Sequence, residues 1–282
     1  MKVVVKKPKP ASADQGSNPE IWAEHPQLLP ATFQWDPPAL LPATRRDQTS
    51  LPHLLAMDRC LQELLSWARS IPVAPVNWIL PDQIQESLNH YQAWQEDTIA
   101  RNHLHVSCRA GCCACCHQYP LGIHAAEVLH VHAHLKASGQ LEACLSACQA
   151  RADNYARWQQ AVAESYGPDG WDQDALEILA QEHDFDDGQP CPFLDVQGSC
   201  SIHAVRPLTC RMFLSSTPPD HCSSEMNTHP DTVQFTLPPD EAIALRMERL
   251  DRTLDWWGHD GSLLGSLVKL ARHEQDAHSC PP

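Results

Sequence analysis

Positive charge is scarce in this sequence. Its 282 residues carry 20 Lys and Arg against 35 Asp and Glu, a net charge of -15. Such a surface repels phosphate backbones and anionic headgroups, so neither nucleic acid nor a membrane surface is expected as a partner. Long apolar runs are missing as well: nothing approaches the roughly 18 consecutive apolar residues of a membrane helix. The N-terminal MKVVVKKPKPASADQ has a basic start but only three valines in a row, short of the apolar stretch of a secretory signal. Arg45-Arg46 lies too far in, and is followed by polar residues, to act as an export signal. A cytoplasmic location is therefore the expectation, and there thiols stay reduced. The sequence also lacks a glycine-rich phosphate loop, a nucleotide fingerprint, a nucleophile elbow and any repeat of fixed period.

What the chain has in abundance is cysteine, 13 in all, with five inside the nine residues Cys108 to Cys116. Crowded cysteines are a poor disulfide framework, because a bridge needs Cα atoms several Å apart and Cβ atoms turned toward each other. The density points instead to thiolates converging on metal. A second group follows at Cys191, Cys200 and Cys210, with Cys222 beyond, and helical segments between the groups would fold back to join them. Thiolates are soft ligands for zinc, copper(I) and iron-sulfur clusters. Seven or eight of them exceed one four-coordinate site, so either two centres exist or some cysteines are not ligands. Arg109, Arg206 and Arg211 are placed to offset thiolate charge and to lower the thiol pKa values. His117, His203 and His221 stand beside the cysteines in supporting roles. Pro192 is expected to shield the site, and Pro207 to open a short helix that carries Cys210.

The first group reads Cys108-x3-Cys112-x2-Cys115-Cys116. The second reads Cys191-Pro192-Phe193-Leu194, Gly198-x-Cys200-Ser201-Ile202 and Arg206-Pro207-x2-Cys210-Arg211. This pattern, over about residues 104 to 215, resembles the YkgJ-type cysteine-cluster family, whose members carry a zinc- or iron-chelating CxxCxxCC domain and are in many cases labelled iron-sulfur proteins. The resemblance implies Cys108, Cys112, Cys115, Cys116, Cys191, Cys200 and Cys210 as ligands of a cofactor. Cys222 is added as a metal ligand, and Cys113, an extra thiol in the first group, is a weaker candidate. The cofactor expected is a [4Fe-4S] cluster, with zinc as the alternative, and the role expected is redox, electron transfer or assistance to a protein partner. Two other functions stay open: a closed structural zinc protein acting as an interaction module, and an enzyme like the flagellin lysine-N-methylases, which share the cluster. Neither a donor site nor a catalytic residue for methyl transfer is recognisable.

The rest of the chain predicts a mainly helical fold with a small irregular cysteine-rich lobe containing one short β-hairpin. Residues 1–50 read as a proline-rich arm, with Trp22, Phe33 and Trp35 as docking aromatics, and residues 51–282 as a helical cysteine-cluster domain with its metal-binding core at 104–222. Helical spacing marks 51–70, including Cys60 as a buried thiol, and a helix capped by Asp82 through Ile99. Further helices are expected at 125–136, 141–166, 173–182, 240–257 and from Ser262 to about Arg272, with an acidic loop at 184–189. A hairpin turning at Gly198 is expected over 192–203. Glu127, His130 and His134 share a helix face with the spacing of a metal-binding pair, but a solvated face is the expected reading. Cys144 and Cys148 share another, and are read as small packing residues ahead of soft ligands.

Overall fold

The computed structural model describes residues 51–71, 81–109, 111–166, 172–223 and 234–279. The proline-rich arm with its aromatics, most of the 71–81 connector and the 167–170 breaker lie outside the described residues. Eight helices order the rest: α1 (Leu51–Ser70), α2 (Gln83–Arg101), α3 (Ala125–Ala137), α4 (Leu141–Tyr166), α5 (Gln173–Asp186), α6 (Leu208–Met212), α7 (Glu241–Leu254) and α8 (Leu263–Ser279).

The apolar stripes decide the packing. On α1, Met57, Leu61, Leu64, Leu65 and Ala68 are buried at steps of three and four, and the helix packs on α2 and α7. On α2 the stripe of Ile84, Leu88, Tyr91 and Trp94 faces inward. Met57, Leu61, Leu88, Tyr91 and Trp94 form one core with Ile243 and Met247 of α7, while Leu64, Leu65, Ala68 and Ile84 join a second. This larger core unites α3, α4 and α8 through residues such as Val128, Leu129, Val162, Leu264 and Leu267. Two short strands, β1 (Phe213–Ser215) and β2 (Gln234–Thr236), pair antiparallel with Leu214 opposite Phe235. The fold is thus mainly helical, with one two-stranded sheet in the cysteine-rich lobe.

Several elements differ from the sequence reading. Asp82 makes no side-chain cap and is itself helical in backbone, its carbonyl accepting from the Glu86 N–H at 3.0 Å. Residues 192–203 form a tight loop with a single bridge, Leu194 to Cys200, because Asp195 Oδ1 gathers the N–H groups of Gln197 and Ser199 at 2.9 and 2.8 Å. The regular pairing lies instead between β1 and β2. Helix α5 runs on to Asp186, so the expected acidic loop starts inside a helix, and α8 runs past Arg272 to Ser279. Asp240 caps α7 as expected, accepting from Ile243 N–H at 3.1 Å.

The start of α3 is held by an ion pair, His124 Nδ1 to Asp251 at 2.7 Å, with Asp251 also accepting the Ala125 N–H at 2.7 Å. Burial alone would lower the His124 pKa, but the Asp251 hydrogen bond and the Glu127 charge outweigh it and the net direction is up from 6.5. A raised histidine binds its proton more tightly folded than unfolded, so its stabilisation is complete below about pH 6.5 and fades as pH rises through the higher folded value. Asp251→Asn keeps the acceptor for Ala125 and removes the charge. Its urea midpoint should fall below wild type at pH 6 and converge on it at higher pH, a trend that parallel denaturation curves would show directly.

Candidate metal centre

Two cysteine groups far apart in sequence are brought together by backbone pairing. Downstream of α2, Ser107 N–H donates to Ser215 O of β1 at 2.8 Å, and the Ser215 N–H returns to Cys108 Sγ at 3.3 Å. The chain then turns at Gly111, φ 81°, and winds through a helical turn at Ala114–His117 closed by Cys116 N–H to Cys113 O at 2.9 Å. The Cys191 N–H donates to Cys116 O at 2.8 Å, stitching the second group onto the first.

Beyond His117 the chain is clamped from below. Asp184 is fully buried and Arg151 is 4% exposed. Both carboxylate oxygens of Asp184 accept from Arg151, one of them also from Tyr119 N–H at 3.1 Å, and Arg151 reaches His117 O at 3.2 Å. Tyr119 and Tyr155 stack with ring centroids 4.2 Å apart. A second buried anion, Glu127, is fully enclosed, accepting His124 N–H at 3.0 Å and Leu208 N–H at 2.6 Å. It therefore joins the start of α3 to the start of α6, the helix that carries Cys210. The expected solvated face on α3 is not found: Glu127 is in the core and His130 bonds Gln85 at 2.9 Å. Two backbone donors that would otherwise be buried find their side-chain acceptor in Glu127.

A cavity of about 210 Å³ results, lined by Cys112, Cys115, Cys116, Cys191, Cys200 and Cys210 together with Arg206. Cys108 and Cys222 stand at its edge as electrostatic neighbours of Cys112 and Cys115. Cys113 is not among the lining residues, and its sulfur packs on Gly198, which is: a Cβ added there would lie 3.2 Å from it. Among the described residues no three His, Cys, Asp or Glu donors converge on one ion-sized point. The thiols surround a space instead.

Burial governs the chemistry of these thiols. It pushes Cys191 up to about 11, against the Phe193 N–H and the Arg151 charge, and Cys210 higher still. Cys115 is raised by its hydrogen bond with Cys116 and then by burial, opposed by Arg206. The expected lowering by arginines is thus overridden, since desolvating a thiolate costs more than these partly distant cations return. Arg211 is a poor helper: it is buried, and spends its donors on Arg206 O, Ala204 O and Gln92 at 2.8, 3.1 and 3.2 Å. Arg206 is the better one, its Nε buried in the wall without a hydrogen-bond partner among the described residues. Metal ions bound by these sulfurs would displace the thiol protons, and the net negative charge of the resulting metal-thiolate group would be faced by Arg206, so soft metal-sulfur groups fit this donor set. His117 Nδ1 is occupied by Gly188 O at 2.8 Å, while His203 lines the cavity.

Gly198 packs directly on the first cysteine loop. Its φ is 77°, where a Cβ is strained, and Cys113 fills the space a side chain would take. Gly198→Ala should lower stability by about 1–3 kcal/mol. Adding Cys113→Ala should return only the contact part and leave the backbone part, which paired urea titrations of the two variants would separate.

Residues 107–234 match a family model described as CxxCxxCC, a "putative zinc- or iron-chelating domain". Neither the curated proteins nor the solved structures gave a match. The matched stretch holds both cysteine groups, the Arg206-Pro207 pair and the clamp residue Arg151. The six thiols that line the cavity accordingly all fall within the stretch that matches this one model, so residues 107–234 of this chain are similar to the CxxCxxCC family.

Proposed function

We propose that the cavity holds an iron-sulfur cluster, of the [4Fe-4S] type, and that the protein serves a partner by electron transfer or redox sensing. One observation carries this: six thiols from both cysteine groups line a single cavity of about 210 Å³ rather than meeting at one point. Four thiolates on one zinc ion, each about 2.3 Å from it, would stand roughly 3.8 Å apart, whereas a cluster of several atoms needs the wider spacing a cavity provides. When bound, such a group supplies one-electron transfer. The chain's own part is to enclose it, to face it with Arg206 and to set its potential through burial and the N–H groups near Cys191 and Cys200. Cys108 is exposed and Cys112 and Cys222 are half-buried, which leaves this rim open to a redox partner. A cytoplasmic setting suits so many free thiols.

Anaerobic purification, a visible spectrum and iron, zinc and acid-labile sulfide analysis on one sample test the proposal. Brown protein with iron and sulfide in comparable amounts is expected, with the chromophore lost in Cys115→Ser and in Cys210→Ser and kept in Cys113→Ser. Colourless protein containing stoichiometric zinc overturns the cluster reading in favour of a structural zinc domain.

A further inference from the structure

The opening of the cysteine cavity is built of more than thiols. Five large apolar side chains are exposed among the described residues, and three of them stand around this cavity. Phe213, at the start of β1, lines it and is 36% exposed. Ile178, 57% exposed, lies one turn of α5 before the lining residue Gln181, and residues so spaced share a helix face. Val196, 96% exposed, sits just before Gln197 and Gly198, and Gly198 also lines the cavity. Its loop is held by Asp195, whose Oδ1 accepts the Gln197 and Ser199 N–H groups at 2.9 and 2.8 Å, so the valine is fixed in water rather than free to fold away.

Single exposed apolar residues are ordinary on a protein surface, whereas several around one opening mark a contact face. Charge at this opening also departs from that of the whole chain. Arg109, His203 and Arg206 line the cavity and, among the described residues, no Asp or Glu does, in a chain with 35 of them. Arg206 is turned to the metal-thiolate group, so the exposed Arg109 carries positive charge to the rim. His203 is exposed beside it as a neutral hydrogen-bonding ring, its pKa lowered by burial and by Arg206. Glu177 and Glu182 flank Ile178 and Gln181 on α5 and confine the positive area to the two cysteine-bearing loops. Small faces of this kind suit brief encounters: electron-transfer complexes bury less area than lasting ones, and opposite charge speeds their formation.

We propose that this opening is the docking face for a one-electron carrier protein whose own contact surface is acidic. Ile178, Val196 and Phe213 supply the apolar contacts, and Arg109 and His203 meet the carboxylates around them. Such a face has a use only with a redox centre behind it, so it rests on the cluster reading. In the encounter one electron leaves the reduced centre and reduces the carrier, and no bond forms or breaks.

The test is anaerobic calorimetric titration of the full chain, as isolated, with an acidic [2Fe-2S] ferredoxin and, separately, with a basic c-type cytochrome, each at low and at high salt. The ferredoxin should bind at low salt and more weakly at high salt. Its affinity should fall about tenfold in Val196→Asp and in Arg109→Glu, where like charge meets the acidic probe. Val196→Lys, which loses the same apolar group, should bind at least as well as wild type, and Leu245→Asp on α7, an exposed apolar residue outside the cavity lining, should change nothing. Preference for the cytochrome, or equal affinity in Val196→Asp and wild type, overturns the docking face. Iron, zinc and sulfide analysis of the same sample separates the two readings. Brown protein that binds no ferredoxin overturns the docking face and leaves the cluster standing; colourless zinc protein overturns both, because no electron is then exchanged.

Discussion

Glu127→Ala should be the most damaging single substitution outside the cysteines, lowering stability by about 3–5 kcal/mol. The carboxylate is fully enclosed and is the acceptor for two backbone donors, His124 N–H and Leu208 N–H. Alanine leaves both donors desolvated with nothing to accept them and opens space beside them. Burial raises the Glu127 pKa, while His124 and the two N–H groups work against it, so the folded state holds this proton more tightly than the unfolded chain. The part of stability that comes from this group alone is therefore greatest at low pH and declines as pH rises through the unfolded and then the folded value. Glu127→Gln keeps one acceptor oxygen and faces the other donor with an NH2 group, costing about 1–3 kcal/mol. Urea midpoints in wild type, Gln and Ala should fall in that order. Because Glu127 holds the start of α6, metal content should fall with them through Cys210. A Gln variant as stable as wild type would show that water or another group takes the second donor.

The second large effect is expected at the Arg151–Asp184 pair. Removing one charge and leaving the other buried costs about 3–5 kcal/mol, so Arg151→Met and Asp184→Asn should each shift the denaturation midpoint sharply. Joint replacement often restores stability in buried ion pairs, but here restoration should be partial. Asp184 also accepts the Tyr119 N–H, and Arg151 also donates to His117 O. Both of those groups lie in the segment that leaves the first cysteine group. A double variant, Arg151→Met/Asp184→Leu, should thus regain the charge term and still bind metal less firmly than wild type. Equal recovery of stability and of metal content would mean that the clamp on residues 117–119 is dispensable.

Much of the helical frame was legible from spacing alone. The stripe from Met57 to Ala68 and that from Ile84 to Trp94 each repeat at steps of three and four, and a helix must bury such a face. The limits of α4 could be read from Gly139 and the breaker run after Tyr166, and the start of α7 from Asp240. Where the local reading failed, a long-range contact had overruled it. Asp184 has the composition of a loop, yet it is helical because Arg151, 33 residues away, neutralises it inside the core. Glu127 has the look of a surface residue at a helix start, yet α6 arrives 81 residues later and encloses it. Neither partner leaves a periodic trace.

The same division runs through the site. Soft-metal chemistry was determined by the sequence itself, because thiol density at Cys108 to Cys116 has no comparable use in a disulfide and thiolate is the ligand type wherever it sits. Which thiols share a cavity was decided only by tertiary structure. The Cys191 N–H to Cys116 O bond and the contact of Gly198 with Cys113 set the two loops face to face. They place Cys112, Cys115, Cys116, Cys191, Cys200 and Cys210 around one space and leave Cys113 packed on Gly198. The sign of the thiol pKa shifts was decided there too, since the arginines are visible in sequence but the desolvation that outweighs them exists only once the chain has folded over the sulfurs.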